Sequence, residues 1–532
     1  MKNNRYLYLT VFVSGLAVLG IELSASRLLD PFFGNSLIIW ANLIGLVLIY
    51  LSVGYAVGGR WADQDPRPTT FFQIIAWGGF LVGVIPFMAA PVLRLSVRGF
   101  ADYDAGLLAG SLLGVLLLFS APLTLLAMAS PFAIRLAVTD VKQSGRTAGS
   151  IYAWSTTGSI FGAFLPVLVL IPNIGTRRTF ILFAVLLLVV AIGGLFQYSR
   201  QKGLFYLGLL LILVLLALLW QAGPIRADEN TIYEMESQYN YIQVAREGND
   251  YLLRLNEGQG VHSVYNPELQ LVYGIWDYFL VAPYFNNPPY PADDVDSLLL
   301  IGAAAGTVAK EFTLVYGPIP IVGVEIDPAI SQVGRDFFAM REPNLTTINQ
   351  DGRYYLVNAN EKYDLIAVDA YRPPYIPFQL TTQEFFQEIY DHLTDEGVVA
   401  INAARTANDY SLVTALGSTM KTVFPNVYVI DTLDFGSDFG NSLVIGSKQP
   451  TRLANFADNV FLLDNPLLQD VANRSFHSRI WEITCDPDRP FVAGYNPLPS
   501  SLPAACPPPL TDDKAPVEQL LHRLIVRYLI GQ

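Results

Sequence analysis

The chain of 532 residues is 52% hydrophobic and 15% charged, with four histidines, two cysteines and a formal net charge of −13 at pH 7. An acidic surface does not neutralise phosphates, which argues against nucleic acid as a partner, and the four histidines have no metal-ligand spacing, so no metal is expected. The apolar residues concentrate before Gln221, which excludes a purely soluble protein.

Mostly apolar stretches of about 18 residues or more, enough to cross a hydrocarbon core, fall near 7–26, 36–58, 71–93, 107–129, 148–171, 180–198 and 204–220. Residues 1–222 are therefore expected to form an α-helical polytopic membrane domain of about seven spans. The first stretch is too long for a signal peptide and lacks a cleavage-type flank, so it reads as a retained span. It ends in GIELSASRLLDPFFG, which puts Glu22 and Arg27 near or inside the apolar layer. Ionisable side chains are costly there unless paired or facing a cavity, and both are candidate functional residues of the membrane half. The alternative has Arg27 and Asp30 reaching the interface, with only Glu22 buried.

Charge divides at the same border. Up to residue 222 there are 14 Lys and Arg against 7 Asp and Glu; beyond it, 19 against 39. The acidic part divides into a small β-region with a linker (223–295), a sheet domain (296–447) and a C-terminal extension (448–532) that closes in an amphipathic helix, 517–529. Within 296–447, consecutive apolar strands end in glycine or acid. SLLLIGAAAGTVAKEF carries a buried strand, Leu298 to Ile301, then Gly302 and Gly306 before a helical pattern. Small residues there let the first βα turn approach a ligand at a helix N-terminus. About twenty residues on, IVGVEID ends in Glu325, where an acid can accept both hydroxyls of a ribose. LTTINQDGRYYL brings Asp351 and Gly352 after a short strand, and YDLIAVDAYRPPYIPF delivers Asp369 to the end of the strand 365–368. The glycine turn alone would equally suit tight helix packing, but three carboxylates in register should converge outside the carboxyl ends of one open sheet.

From about residue 230 to 447 these motifs resemble the spermidine synthase-like aminopropyltransferases, and GIELSASRLLDPFFG resembles the N-terminal motif of membrane-fused members. The resemblance implies an α/β Rossmann-like, methyltransferase-type domain with a small N-terminal β-region. It implies that the Gly302–Gly306 turn approaches decarboxylated S-adenosylmethionine and that Glu325 holds its ribose, with Asp351 and Gly352 near the adenine and Asp369 as the catalytic base. LNEGQGVHSVY and LVYGIWDYF match the family's β-region, with Gln259 and Tyr273 on the substrate side. Two positions depart from the family. An aspartate inside the glycine turn is replaced by Ala305, and a second acid three after the catalytic one is replaced by Arg372. A guanidinium repels a diamine and suits an anionic acceptor or one without a second ammonium.

The expected function is membrane-bound transfer of an aminopropyl or other alkyl group from an adenosyl sulfonium donor to an amine-type small-molecule acceptor. Two alternatives stand beside it: S-adenosylmethionine-dependent methyl transfer, and a catalytically silent sensor or scaffold domain on a transporter-like membrane module. The lipid bilayer is the expected partner, with a homodimer possible and a multi-pass cell-membrane location. Basic loops favour an inside N-terminus, and seven spans then put the soluble part outside; a Cys485–Cys506 disulfide would agree. The donor is an intracellular metabolite, however, and the cytoplasmic side is the expectation adopted.

Overall fold

The computed structural model describes residues 4–33, 37–99, 106–138, 140–219, 230–256, 260–371, 376–433 and 439–529. They divide into two compact units, the first comprising residues 1–229 and 234–241 and the second 230–233 and 242–532.

Among the described residues of the first unit, six helices are long and apolar enough to cross a membrane: Arg5–Phe33, Ile39–Gln64, Pro68–Ser96, Ala109–Ala137, Val141–Phe196 and Arg200–Leu219. The expected span 148–171 and nearly all of 180–198 fall in the run Val141–Phe196, which leaves helical geometry at Gly175 (φ 79°, ψ 164°) without an intervening loop. A hydropathy window counts apolar stretches and cannot distinguish a broken continuous run from two separate helices.

Small residues set the packing of this unit. A Cβ on Gly158 or Gly162 would overlap the carbonyls of Phe12 and Leu16, and one on Gly15 would overlap that of Ser155. The helices Asn4–Phe33 and Ser144–Leu165 thus meet backbone to backbone, the close approach that apolar helices use where lipid removes the hydrophobic drive to associate. Gly158→Leu is expected to separate them. Overpacking of this kind costs ~1–3 kcal/mol or more, so the melting temperature in detergent should fall by several degrees, and an unchanged melting curve would contradict the packing. Arg27 pairs with Asp30 at 3.8 Å and donates to the carbonyls of Gln238 and Tyr239. Glu22 is half-buried on the same helix.

The strands β1 (Thr231–Glu236), β2 (Tyr241–Glu247), β3 (Asp250–Leu255) and β4 (Val261–Tyr265) supply the small β-region, with β2, β3 and β4 joined antiparallel. The main sheet contains β5 (Leu298–Ile301), β6 (Ile321–Val324), β7 (Leu345–Ile348), β8 (Tyr363–Val368), β9 (Leu393–Thr406), β10 (Asn426–Asp431), β11 (Phe439–Ser447), β12 (Ile480–Ile483) and β13 (Phe491–Tyr495). Their order is β13-β12-β10-β11-β9-β8-β5-β6-β7. The pairs among β9, β8, β5, β6 and β7 are parallel, and those beyond β9 are antiparallel. Both faces are covered, which is why these strands are continuous apolar runs: Leu298, Leu300 and Ala367 pack in one core, Leu299, Ile301 and Ile366 in the other. The expected extension 448–532 adds β12 and β13 to this sheet and carries the Cys485–Cys506 disulfide.

Candidate active site

β5 lies between β6 and β8, so the chain leaves its carboxyl end in one direction towards β6 and β7 and later returns on the other side to β8. In open α/β sheets a crevice forms at such a switch point. The turn that opens it runs through left-handed backbone at Gly302 (φ 91°), Ala304 (φ 45°) and Gly306 (φ 90°) into the helix Thr307–Tyr316. At Gly302 glycine is required twice over. Its φ disfavours a side chain, and a Cβ would stand 2.5 Å from the Asp369 carbonyl oxygen. The turn is therefore seated on the backbone of the β8 strand end.

Glu325 follows β6. Its Oε2 accepts from the Ala304 N–H at 3.0 Å, and its Oε1 from the Asp327 N–H at 3.0 Å. It is 7% exposed, and burial raises its carboxyl to about 7 although backbone N–H groups oppose the rise. A buried carboxylate bonded to the turn, with lone pairs left over, suits a diol of a sugar. Asp351 caps the helix Gly352–Asn358, accepting from the Tyr354 N–H at 3.0 Å. A Cβ on Gly352 would overlap Ile301. This pair thus has a structural role of its own beside β5.

Asp369 ends β8 with both oxygens engaged. Oδ1 accepts from Asn402 Nδ2 at 2.9 Å and Oδ2 from Trp276 Nε1 at 3.0 Å. Burial raises its carboxyl to about 6, against these two hydrogen bonds. Asn402 lies on β9, and its Oδ1 accepts from Asn441 Nδ2 on β11 at 2.8 Å. Trp276 lies on the short buried helix Ile275–Tyr278. Both donors to Asp369 are neutral, so they hold its geometry without the strong pull of a cation on its proton.

Gly302, Gly306, Glu325 and Asp369 lie at the carboxyl ends of β5, β6 and β8, with Asp351 and Gly352 after β7. Tyr273 is at the head of the Trp276 helix, 52% exposed with φ 58°. Gln259 and Arg372 lie outside the described residues. The sequence reading missed Trp276, Asn402 and Asn441. Asn402 carried a signal like that of Asp369, a polar residue directly after an apolar run, though β9 continues past it to Thr406. Ala305 is buried, and its N–H donates to Ser263 Oγ at 3.0 Å, so β4 holds the turn at the position where the family has an acid. Among the described residues no cluster of three or more His, Cys, Asp or Glu could hold a metal.

A spermine/spermidine synthase domain is matched over residues 291–434. The chain is 35% identical over 201 residues to a probable polyamine aminopropyl transferase of Bifidobacterium longum (strain NCC 2705), an alignment covering 37% of this chain and 43% of that protein. The chain thus spans less than half the length of that relative. Polyamine aminopropyltransferase 2 of Aquifex aeolicus (strain VF5) is 22% identical over 485 residues, 86% of this chain and 90% of its own, an alignment long enough to run through both halves. An N-terminal histidine N-methyltransferase of Emericella nidulans (strain FGSC A4 / ATCC 38163 / CBS 112.46 / NRRL 194 / M139) is 29% identical over 196 residues, 35% of this chain and 33% of that protein. Among solved structures, a probable spermidine synthase from Corynebacterium glutamicum ATCC 13032 is similar at 18% identity and a TM-score of 0.37, covering 52% of this chain and 99% of its own.

Proposed function

We propose that this chain, whose C-terminal part carries a spermine/spermidine synthase domain, is a membrane-bound transferase that moves an aminopropyl group from decarboxylated S-adenosylmethionine to an amine. The observation that carries the reading is the Asp369 carboxylate, held by two neutral donors at the switch point and backed by the glycine turn that Glu325 fastens. Gly302 and Gly306 would leave room for the nucleoside, and Glu325 would accept the ribose hydroxyls. Asp351 and Gly352 would border the adenine. The acceptor nitrogen would attack the carbon bonded to the sulfonium sulfur. That C–S bond breaks, sulfur keeps the electron pair and leaves in a neutral thioether, and the nitrogen's proton passes to Asp369. Holding the two reactants in line would supply most of the acceleration.

Tyr273, with Gln259 and Arg372, would form the acceptor side. With a guanidinium in place of an acid, the acceptor carries an anionic group or lacks a second ammonium. The test is turnover by the purified chain with decarboxylated donor and an amine panel, read by mass. Transfer to monoamines or amino acids well above transfer to putrescine is expected; fast aminopropylation of putrescine, unaffected by Arg372→Ala, would overturn the acceptor assignment. Two observations favour a second reading, methyl transfer from S-adenosylmethionine. The buried, apolar Ala305 offers no charge to the donor's amine, and one relative is a methyltransferase. Methylated product with no aminopropylated product would establish it.

The six long apolar helices are compatible with a multi-pass membrane protein. We place the soluble unit on the cytoplasmic side, where the adenosyl donor is made. The Cys485–Cys506 bridge favours the opposite face, because such bridges persist where thiols are not kept reduced. With both replaced by serine and one cysteine introduced at the exposed Phe461, intact cells should resist a membrane-impermeant maleimide and broken cells should react; labelling of intact cells would reverse the topology.

A further inference from the structure

Behind the acceptor wall lies a buried ionic cluster drawn from three distant parts of the second unit. Asp277, fully buried on the Trp276 helix, accepts from Arg474 Nη2 at 2.6 Å. Arg474 comes from the helix Pro466–His477, in the segment beyond the matched synthase domain. Its Nε reaches Asp470 at 3.2 Å, and its guanidinium lies 4.9 Å from the Tyr273 ring centre and 5.7 Å from that of Tyr278. The third member is Glu311, 2% exposed on the helix Thr307–Tyr316 that leaves the glycine turn. Its Oε1 accepts weakly from the Val272 N–H at 3.4 Å. Burial, then the charge of Asp277 and a hydrogen bond to it, hold the Glu311 carboxyl well above the usual carboxylate range. Arg474 is the cation of this cluster, and it lies against both Asp277 and Asp470.

Tyr273 stands in left-handed backbone (φ 58°), which a tyrosine adopts only when its surroundings impose it. What imposes it is the same carboxylate, for the Tyr273 N–H donates to Asp277 Oδ2 at 3.2 Å. One residue before Asp277, Trp276 donates its indole N–H to Asp369. The cluster thus fixes both ends of the segment 273–276, one facing the acceptor and the other the proposed base.

We propose that Arg474 is a positioning residue for the transfer site, acting through Asp277 to hold Tyr273 in its left-handed conformation and the Trp276 indole against Asp369. Resting on the reading of Asp369 as the base, this gives the segment beyond the synthase domain a part in catalysis. It also predicts that losses at Arg474 fall on kcat and the acceptor rather than on the donor, whose turn and Glu325 hydrogen bonds do not involve it.

The test uses the full chain in detergent with 5-fluorotryptophan. Of its seven tryptophans, Trp276 is the resonance lost in Trp276→Phe, and in the native protein it should titrate with a midpoint near 6, a transition that Asp369→Asn removes. Arg474→Met could fail to fold by leaving a bare charge at Asp277, so the decisive variant is Asp277→Asn/Arg474→Met, which removes both charges. Its Trp276 titration should vanish or fall by about one unit as water reaches Asp369. Its kcat should drop ~10-fold or more, the size of a misplaced acid/base group, at unchanged affinity for methylthioadenosine. Arg474→Lys, which keeps the charge, should restore part of both. A double variant whose Trp276 titration and kcat match the native protein would overturn the proposal. If the native chain transfers no aminopropyl group, the proposed function fails, yet the fluorine titration still decides whether Arg474 positions Trp276.

Discussion

Asp369→Asn is expected to lower aminopropyl transfer by ~10²–10⁴-fold, the usual contribution of a positioned general base, while affinity for methylthioadenosine changes by less than about threefold. The site explains why even this near-isosteric change is not silent. An amide has one acceptor oxygen, whereas Trp276 Nε1 and Asn402 Nδ2 both present N–H groups to this carboxyl, so one donor would face an NH2 group and lose its partner. The pH profile supplies a second check. Burial raises Asp369 to about 6, and a base works only when deprotonated, so kcat should be lost as pH falls through about 6 and be flat above it as far as this group is concerned. Calorimetry with methylthioadenosine beside steady-state rates from pH 5 to 9 tests both points; equal loss of binding and turnover would remove Asp369 from the role of base.

Glu325→Ala should act in the opposite place. Removing the carboxylate takes away the expected acceptor for two ribose hydroxyls and strips the Ala304 and Asp327 N–H groups of their partner. Hydrogen bonds to a charged group are worth ~1.5–3 kcal/mol each, so donor affinity should fall by ~10²-fold or more, with the acceptor KM much less affected. Glu325→Gln should recover only part, because an amide offers one oxygen where the carboxylate uses two. Calorimetric titration of both variants with methylthioadenosine measures the loss, and native-like affinity in Glu325→Ala would show that the ribose is held elsewhere.

Much of this was legible in the chain itself. Parallel strands covered on both faces must be apolar along their length, so polar residues are forced to the strand ends, and in a parallel sheet those ends share one edge. Gly302, Glu325 and Asp369 could be placed together by that rule alone. The apolar stretches of the first half were equally plain, because length and hydropathy are local properties; how the run Val141–Phe196 breaks at Gly175 was not, since a kink and a loop have the same composition. Only the tertiary structure decided what surrounds the strand ends. Trp276 reaches Asp369 across 93 positions of sequence and Arg474 reaches Asp277 across 197, and neither separation leaves a periodicity to read. The same holds for protonation. The Glu311 carboxyl is held well above the usual carboxylate range by burial and by the charge of Asp277, because the free energy of a charge is set by the water and partners that the fold removes or supplies.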